Sequence, residues 1–485
     1  MRALFEPQGV IVAGVSSHPG KFGFTALHNV LAGGYGGRVF AVNREGGSVL
    51  GVPCLTDVAD VPDGAADLVM VCTPAAANEA LLQDCAAKGV RAAFVASAGY
   101  REAGAAGLEA EQRLAALARD LGMLLAGPNG QGLVSTPVRL CAQIVGPDPP
   151  AGRVSIASQS GNVVSSLMNY AAQTGVGIAR AVSAGNSAAL GVADYLRWFA
   201  DDDETGVAVC YLEDVGDGRA LATTVAEVSA RKPVVIVKGG TTAAGVRAAA
   251  SHTGALATAE RVFDGAMRQA GAVRAASIEE AFDVAATFAT QPLPAGPSVA
   301  VVTTVGGWGV MTADAIDGSS LSLLSLPEDL RAAVDGLLPP RWSRNNPIDC
   351  AGGETRDTVP ELLSLVAAHP QVDAVVFLGV GVQSNTARLL RNGPFYPAYG
   401  LERIVEFHER QDRRFAAAAA AASEATGKPV LTATELAVAD PSNPGPAAVR
   451  ESGRLCYPSA HRAVAALDHA WRYARWRQRR GALPG

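Results

Sequence analysis

Short uninterrupted apolar runs recur along the chain, and stretches rich in Ala and Leu with helical character lie between them. The first runs fall at residues 10–15, 38–42, 68–71, 93–96 and 124–126. Runs without polar alternation suit strands covered on both faces, and strands that alternate with helices imply parallel sheets. Pro147, Pro149 and Pro150 interrupt the pattern. A second block then begins with the run 153–157 and includes 207–211 and 233–238. Another break at Pro292, Pro294 and Pro297 leads to a third block with runs at 299–303, 374–378 and 429–432. A last proline cluster, Pro441, Pro444 and Pro446, precedes the tail. The pattern predicts an α/β protein with domains at 1–146, 151–290 and 297–440 and a partly helical extension at 441–485.

The alanine run at 416–422 is read as a packed helix, because Ala has the highest helix propensity. In the tail, Trp471, Tyr473 and Trp476 interleave with Arg472, Arg475, Arg477, Arg479 and Arg480. Such a mixture can stack on bases and pair with phosphates. The net charge of −6 over 485 residues favours instead an amphipathic helix with packed aromatics and solvated arginines. The same charge gives no electrostatic footprint for nucleic acid.

Seven cysteines, an odd number outside any CxxC pattern, point to reduced thiols and no metal site. The first residues enter a strand directly, without the apolar stretch of a signal peptide. No run reaches the roughly 18–20 apolar residues of a membrane span. The expectation is a cytoplasmic enzyme with small-molecule partners, no nucleic acid and no membrane.

The turn after the first run reads Gly14-Val15-Ser16-Ser17-His18-Pro19-Gly20-Lys21-Phe22-Gly23 and opens a helix. Glycines let backbone approach a phosphate, and a helix start offers free N–H groups to an anion. Ser16, Ser17 and Lys21 add donors. The spacing departs from GxGxxG, and the second strand ends at Asn43-Arg44, where an NAD site would place an acidic residue. A basic residue there fits a ribose phosphate, which leaves coenzyme A and NADP both open.

Ser251-His252-Thr253-Gly254 follows a clear strand and sits among small residues. A neutral imidazole flanked this way can accept a phosphoryl group and pass it on. Two further loops each leave a strand and open a helix. They are Ser158-Gln159-Ser160-Gly161-Asn162 and Thr303-Thr304-Val305-Gly306-Gly307-Trp308-Gly309. Both offer N–H groups and a helix dipole to an anion. Glu213, at the end of the run 207–211, is placed to orient the imidazole of His252.

The order of motifs resembles the α subunit of ADP-forming acetate–CoA ligases, within the succinyl-CoA synthetase superfamily. The resemblance rests on the first turn, Asn43, Thr73-Pro74, Ser97-Ala98-Gly99, Gly127-Pro128-Asn129, SQSG, Gly185-Asn186, YLE with Glu213, SHTGA with His252, VGGWGV and NPIDCAG. These cover the chain from its start to about residue 435, and SQSG followed by YLE and SHTGA is the specific part. The resemblance implies an N-terminal Rossmann-type CoA-binding domain followed by two flavodoxin-like, doubly wound parallel-sheet domains. It implies His252 as phosphoryl carrier, Glu213 as its support, and Ser160, Gly161, Asn162, Gly306 and Gly307 as phosphoryl binders. Coenzyme A would be held by Gly14, Ser16, Ser17, Lys21, Phe22, Gly23, Asn43 and Arg44, with Thr73, Pro74, Ser97 and Asn129 nearer the pantetheine and acyl end.

No stretch supplies an ATP-grasp domain, so ATP or ADP and Mg²⁺ are assigned to a separate β subunit in a hetero-oligomer. The reaction implied joins a small carboxylic acid to CoA through a phosphohistidine and an acyl phosphate, with release of phosphate. The chain departs from the family at Gly130-Gln131, where Cys or Ser then Leu or Pro is usual, and also at Arg44 and Thr258. A non-catalytic CoA- or acyl-CoA-binding regulator is the alternative that Gly130-Gln131 favours. An NADP-dependent oxidoreductase rests only on the first turn and Arg44.

Overall fold

The structure, a computed structural model, describes residues 1–146, 148–242, 244, 245, 247, 260–350, 352, 357–436 and 442–481. The chain forms two compact units, Met1–Gln173 with Gly177–Ala281, and Thr174–Val176 with Phe282–Gly485. It is of the α/β class, with three mainly parallel sheets.

The first unit opens with α1 (Arg2–Phe5) and builds its first sheet from seven strands. These are β1 (Gly9–Ala13), β2 (Arg38–Val42), β3 (Ser48–Val49), β4 (Val52–Leu55), β5 (Leu68–Val71), β6 (Ala92–Val95) and β7 (Leu124–Ala126). Their order is β3-β4-β2-β1-β5-β6-β7, and only the β3–β4 pair is antiparallel. The crossovers carry α2 (Phe22–Ala32), α3 (Asn78–Ala87) and α4 (Ala105–Asp120). Every residue of β1, β5 and β6 is buried, which is why their sequences are unbroken apolar runs. Strand order reverses at β1, so the carboxyl ends of β1 and β5 flank the crevice where doubly wound sheets take ligands.

The second sheet contains β8 (Gly132–Ser135), β9 (Leu140–Gln143), β10 (Ala151–Ser158), β11 (Ile178–Ser183), β12 (Val207–Leu212), β13 (Val234–Lys238) and β14 (Val273–Arg274). With them run α5 (Gly161–Thr174), α6 (Val192–Asp201), α7 (Gly218–Ser229) and α8 (Glu260–Gln269). The order is β14-β13-β12-β10-β11-β8-β9. The hairpin β8–β9 pairs antiparallel with β11, so residues 132–143 extend this sheet and not the first. One hydrophobic core joins both sheets, from Leu4 and Phe5 through Leu133 to Phe199. Arg180, 1% exposed, ties the same region together. Its guanidinium donates to Glu6 (2.7 Å), to Asp202 (3.1 and 3.2 Å) and to the Ser135 hydroxyl, and it lies over the Trp198 ring.

The second unit holds β15 (Ser298–Thr303), β16 (Ser322–Leu323), β17 (Ile348–Asp349), β18 (Ala374–Leu378), β19 (Val430–Ala433) and β20 (Cys456–Tyr457). Their order is β16-β15-β18-β19-β20, with β17 also beside β15 and all pairings parallel. Its helices include α9 (Ile278–Thr290, in this unit from Phe282), α10 (Gly306–Asp317), α11 (Glu328–Asp335), α12 (Thr358–Ala368), α13 (Val382–Arg391), α14 (Leu401–Thr426), α15 (Pro444–Glu451) and α16 (Ala460–Arg479). Ala416, Ala419 and Ala422 are buried on α14, and Trp471 and Tyr473 on α16, as packed helices require. Trp342 is buried and donates its indole N–H to Asp335 (2.8 Å), the behaviour of a packing residue. No helix among the described residues is long and apolar enough to cross a membrane.

The second and third sheets share a device. β10 lies between β11 and β12, and β15 between β16 and β18, so each parallel run has the flavodoxin order. In both, a hydroxyl folds the loop after that central strand, β10 or β15. Ser158 Oγ bonds the N–H and C=O of Ser160, and Thr303 Oγ1 does the same for Val305. Each loop then enters a glycine-started helix, α5 or α10.

Candidate functional site

Within the first unit a cleft of about 860 Å³ lies among loops that leave the carboxyl ends of the first two sheets. It brings together Phe22, Asn129, Ser160, Gly161, Asn162 and Glu213, all singled out from the sequence.

The turn after β1 is shaped by two glycines. Gly14 has a φ of +82°, and a Cβ there would stand 2.8 Å from the Cys72 carbonyl carbon and 2.9 Å from the Thr73 nitrogen. Gly23, on α2, could carry no Cβ either, since it would lie 2.0 Å from the Gly14 oxygen. The backbone therefore closes down on the β1–β5 crevice, a cradle that only glycine permits. Ser17, Lys21 and Arg44 are exposed around it, Ser16 is half-buried, and Phe22 is 53% exposed. Donors surrounding a bare backbone fit a phosphate-bearing cofactor. Asn43 also has a local task, since its Oδ1 accepts from the N–H groups of Glu45 (2.9 Å) and Gly46 (2.6 Å).

Beyond Pro74, a residue without sequence signal organises the next stretch. Asn78, 0% exposed, accepts from the Thr73 hydroxyl (2.7 Å) and donates to Ser97 Oγ (3.0 Å) and the Tyr100 hydroxyl (2.8 Å). The Thr73 and Ser97 hydroxyls, from the ends of β5 and β6, are thereby fixed in place.

After β7 the chain turns through a cis Gly127–Pro128 bond to Asn129, at φ 60°, a conformation that Asn tolerates. Asn129 Nδ2 donates to Asn186 Oδ1 (3.3 Å). The Asn186 amide in turn donates to Glu102 (2.6 Å) and Glu111 (2.7 Å), and Glu111 pairs with Arg101. Burial works to raise the Glu102 pKa, but hydrogen bonds from Asn186, Gly99 and Tyr100 outweigh it and hold the carboxyl below its ordinary value. Glu102 and Glu111 are polar residues in an α4 approach that periodicity alone leaves as surface positions.

Of the next two residues, Gly130 is buried and Gln131 is half-buried at the cleft. A Cβ on Gly130 would lie 2.6 Å from Phe94 Cζ and 2.6 Å from the Ser183 oxygen. Gln131 donates its N–H to Ser183 Oγ (3.0 Å) and its Nε2 to Asn162 Oδ1 (3.0 Å), while Ser165 Oγ donates to its Oε1 (3.1 Å). Its side chain covers Gly161, where a Cβ would meet Gln131 Cγ and Cδ at 2.3 Å.

Across the cleft, Gln159 locks the loop before α5 to the end of β12. Its Oε1 accepts from the N–H groups of Glu213 (2.7 Å) and Asp214 (2.9 Å), and its Nε2 donates to the Asp214 carbonyl (2.9 Å). The Tyr211 hydroxyl donates to Glu213 Oε1 (3.1 Å). Burial, reinforced by the neighbouring Glu213, pushes the Tyr211 pKa up to about 12, so the phenol remains a donor at neutral pH. Gln159 and Tyr211 stand within the SQSG and YLE segments, yet their roles show only once the two loops meet.

Gly306 and Gly307 belong to the second unit, at the start of α10, where both are exposed. His252 lies outside the described residues.

Three family models match the chain in succession. Residues 8–135 match a CoA binding domain, 151–288 a succinyl-CoA ligase like flavodoxin domain, and 299–383 a ligase-CoA domain. Acetate–CoA ligase (ADP-forming) I subunit alpha of Pyrococcus furiosus is 32% identical over 481 residues, covering 98% of both chains. The chain belongs to the ADP-forming acetate–CoA ligase family. It is thus an acid–CoA ligase of the nucleoside-diphosphate-forming type, with the role of an α subunit. A second ligase of the family, acetate–CoA ligase (ADP-forming) I of Archaeoglobus fulgidus, is 35% identical across 78% of this chain and 54% of that one. Among solved structures, a dinucleotide forming acetyl-coenzyme A synthetase 1 of Ca. Korarchaeum cryptofilum, in complex with phosphate and ADP, superposes with a TM-score of 0.85. That match has 31% identity over 98% of this ligase and 97% of the other chain.

Proposed function

We propose that the chain activates a small carboxylic acid through a phosphoryl group carried on His252, working with a separate ATP-grasp β subunit that binds ATP and Mg²⁺. In the activating direction the γ-phosphoryl of ATP passes to an imidazole nitrogen of His252, and ADP leaves. The phosphorus–nitrogen bond then breaks as a carboxylate oxygen of the acid takes the phosphoryl group, giving an acyl phosphate. The CoA thiol gives up its proton, its sulfur bonds to the acyl carbon, and inorganic phosphate departs. Glu213 supports the positive charge of the imidazole during transfer. The first turns of α5 and α10, with Ser160, Gly161, Asn162, Gly306 and Gly307, hold the phosphoryl oxygens by N–H groups and helix dipole.

Coenzyme A is held at the β1–β5 crevice, its phosphates near Gly14, Ser16, Ser17, Lys21, Gly23, Asn43 and Arg44. Phe22, Thr73, Pro74, Ser97 and Asn129 line the path to the acyl end. The observation that carries this reading is the cleft itself, which faces Asn129 and Gly130 from the CoA side against Gly161 and Glu213. The name of the Pyrococcus furiosus relative, an α subunit of an ADP-forming acetate–CoA ligase, supports an ADP-forming ligase that works with a second subunit.

Labelled ATP, supplied with the partner subunit, tests the carrier step. Wild type takes up alkali-stable, acid-labile label, and His252→Ala takes up none. A folded, CoA-binding chain that stays unlabelled with its partner would overturn the ligase mechanism and leave a regulatory CoA-binding role.

A further inference from the structure

We propose that Gln131 binds the acid being activated, its carboxamide Nε2–H donating to the carboxyl oxygen that becomes part of the acyl phosphate. The inference rests on the ligase mechanism above. Gln131 lies at the meeting of two loops, the one leaving the first sheet after β7 and the first turn of α5. Its carboxamide is oriented at both ends, with Ser165 Oγ donating to Oε1 and Nε2 donating to Asn162 Oδ1. An amide nitrogen carries two hydrogens. Among the described residues the second one has no partner, and Gln131 lines the cleft.

A preoriented donor of this kind costs little to use, because its rotamer is fixed before the ligand arrives. Its place suits the task. The residue abuts Gly161, where no side chain would fit beneath it, and follows Gly130, which is walled by Phe94 and Ser183. An acid lying between the CoA side and the phosphoryl side of the cleft has this amide as its neighbour. The amide is neutral, so it can hold a carboxylate without drawing a phosphoryl group into a competing ion pair. Leucine or glutamate in its place keeps the bulk and removes the N–H.

The test uses the full chain reconstituted with its partner subunit, comparing wild type, Gln131→Leu and Gln131→Glu. Loss of a hydrogen bond to a charged group raises the KM for acetate, propanoate and butanoate alike by roughly 10- to 100-fold. The glutamate variant loses more, because its charge repels the carboxylate. The KM for CoA and the yield of phosphorylated chain from ATP stay within about threefold of wild type, which a merely structural defect would not spare. Should either folded variant keep its acid KM within about threefold of wild type, the assignment is wrong. The two readings fail differently. A wild-type chain that is never labelled, or whose label no acid discharges, refutes the ligase mechanism, whereas normal discharge in every variant refutes only the role of Gln131.

Discussion

Placing a serine at Gly130 would force a Cβ, with its Oγ beyond, into a space already claimed from two sides. Its Cβ would stand 2.6 Å from Phe94 Cζ and 2.6 Å from the Ser183 carbonyl oxygen. Ordinary carbon contacts lie at about 3.5–4.0 Å, so about 1 Å of overlap needs relief in both directions. Neither neighbour retreats easily. Phe94 is 0% exposed within β6, and Ser183 is held in β11 by its pairing with Ser158. Overpacking of this kind costs about 1–3 kcal/mol, which lowers Tm by about 2–5 °C in a unit of this size. Gly130→Ser and Phe94→Leu would be measured singly and together by thermal unfolding. Leucine lacks the ring edge that the serine meets, so the double variant recovers about 0.5–2 kcal/mol of the summed loss. A Gly130→Ser chain melting within about 1 °C of wild type, or strictly additive losses, would refute the packing account. The result also bears on the site. If the loop shifts to admit the serine, Asn129 and Gln131 shift with it and the KM for the acid rises.

Two further predictions concern buried polar groups. Arg180→Met leaves Asp202 without its partner, and breaking a buried pair costs about 3–5 kcal/mol, read as a fall in the urea midpoint. Burial pushes the Asp202 pKa up, but the hydrogen bonds from Arg180 and Thr205 bring it below the ordinary value. Its contribution to stability is thus complete above the unfolded carboxylate pKa of about 3.9 and lost as pH falls through the lower folded one. In the variant the carboxyl titrates higher, so acid unfolding begins at higher pH; an unchanged acid midpoint would show that Asp202 is not stabilised by Arg180. Asn78→Ala strips three hydrogen bonds from the region of Thr73, Ser97 and Tyr100. It costs about 1–3 kcal/mol and weakens CoA binding by roughly tenfold in calorimetry, while unchanged affinity would separate this network from the CoA site.

Local pattern along the chain carried the strands, the helices and the tight turns. Apolar runs such as 68–71 and 374–378 declared buried parallel strands, because a strand covered on both faces has no polar positions to alternate. The alanine run was legible as a packed helix from the helix propensity of Ala, and the tail from its alternation of aromatics with arginines. The glycines of the first turn and the two hydroxyl-led loops before Gly161 and Gly306 announced themselves by composition, since tight turns accept few residue types.

Tertiary structure alone decided the partners. The hairpin β8–β9 reads from its position as the end of the first block, yet its edge pairs with β11, formed about forty residues later. Nothing local distinguishes Asn78 from any helix-entry asparagine, or Glu102 and Glu111 from surface residues, and the Gly185-Asn186 motif does not name the carboxylates it meets. Their meaning comes from side chains that are distant along the chain and adjacent in space. Gly130 and Gln131 were visible only as departures from a family pattern. Their physical reason lies in Phe94, Ser183 and Gly161, three neighbours that no spacing rule connects and that packing of the two sheets brings within contact distance.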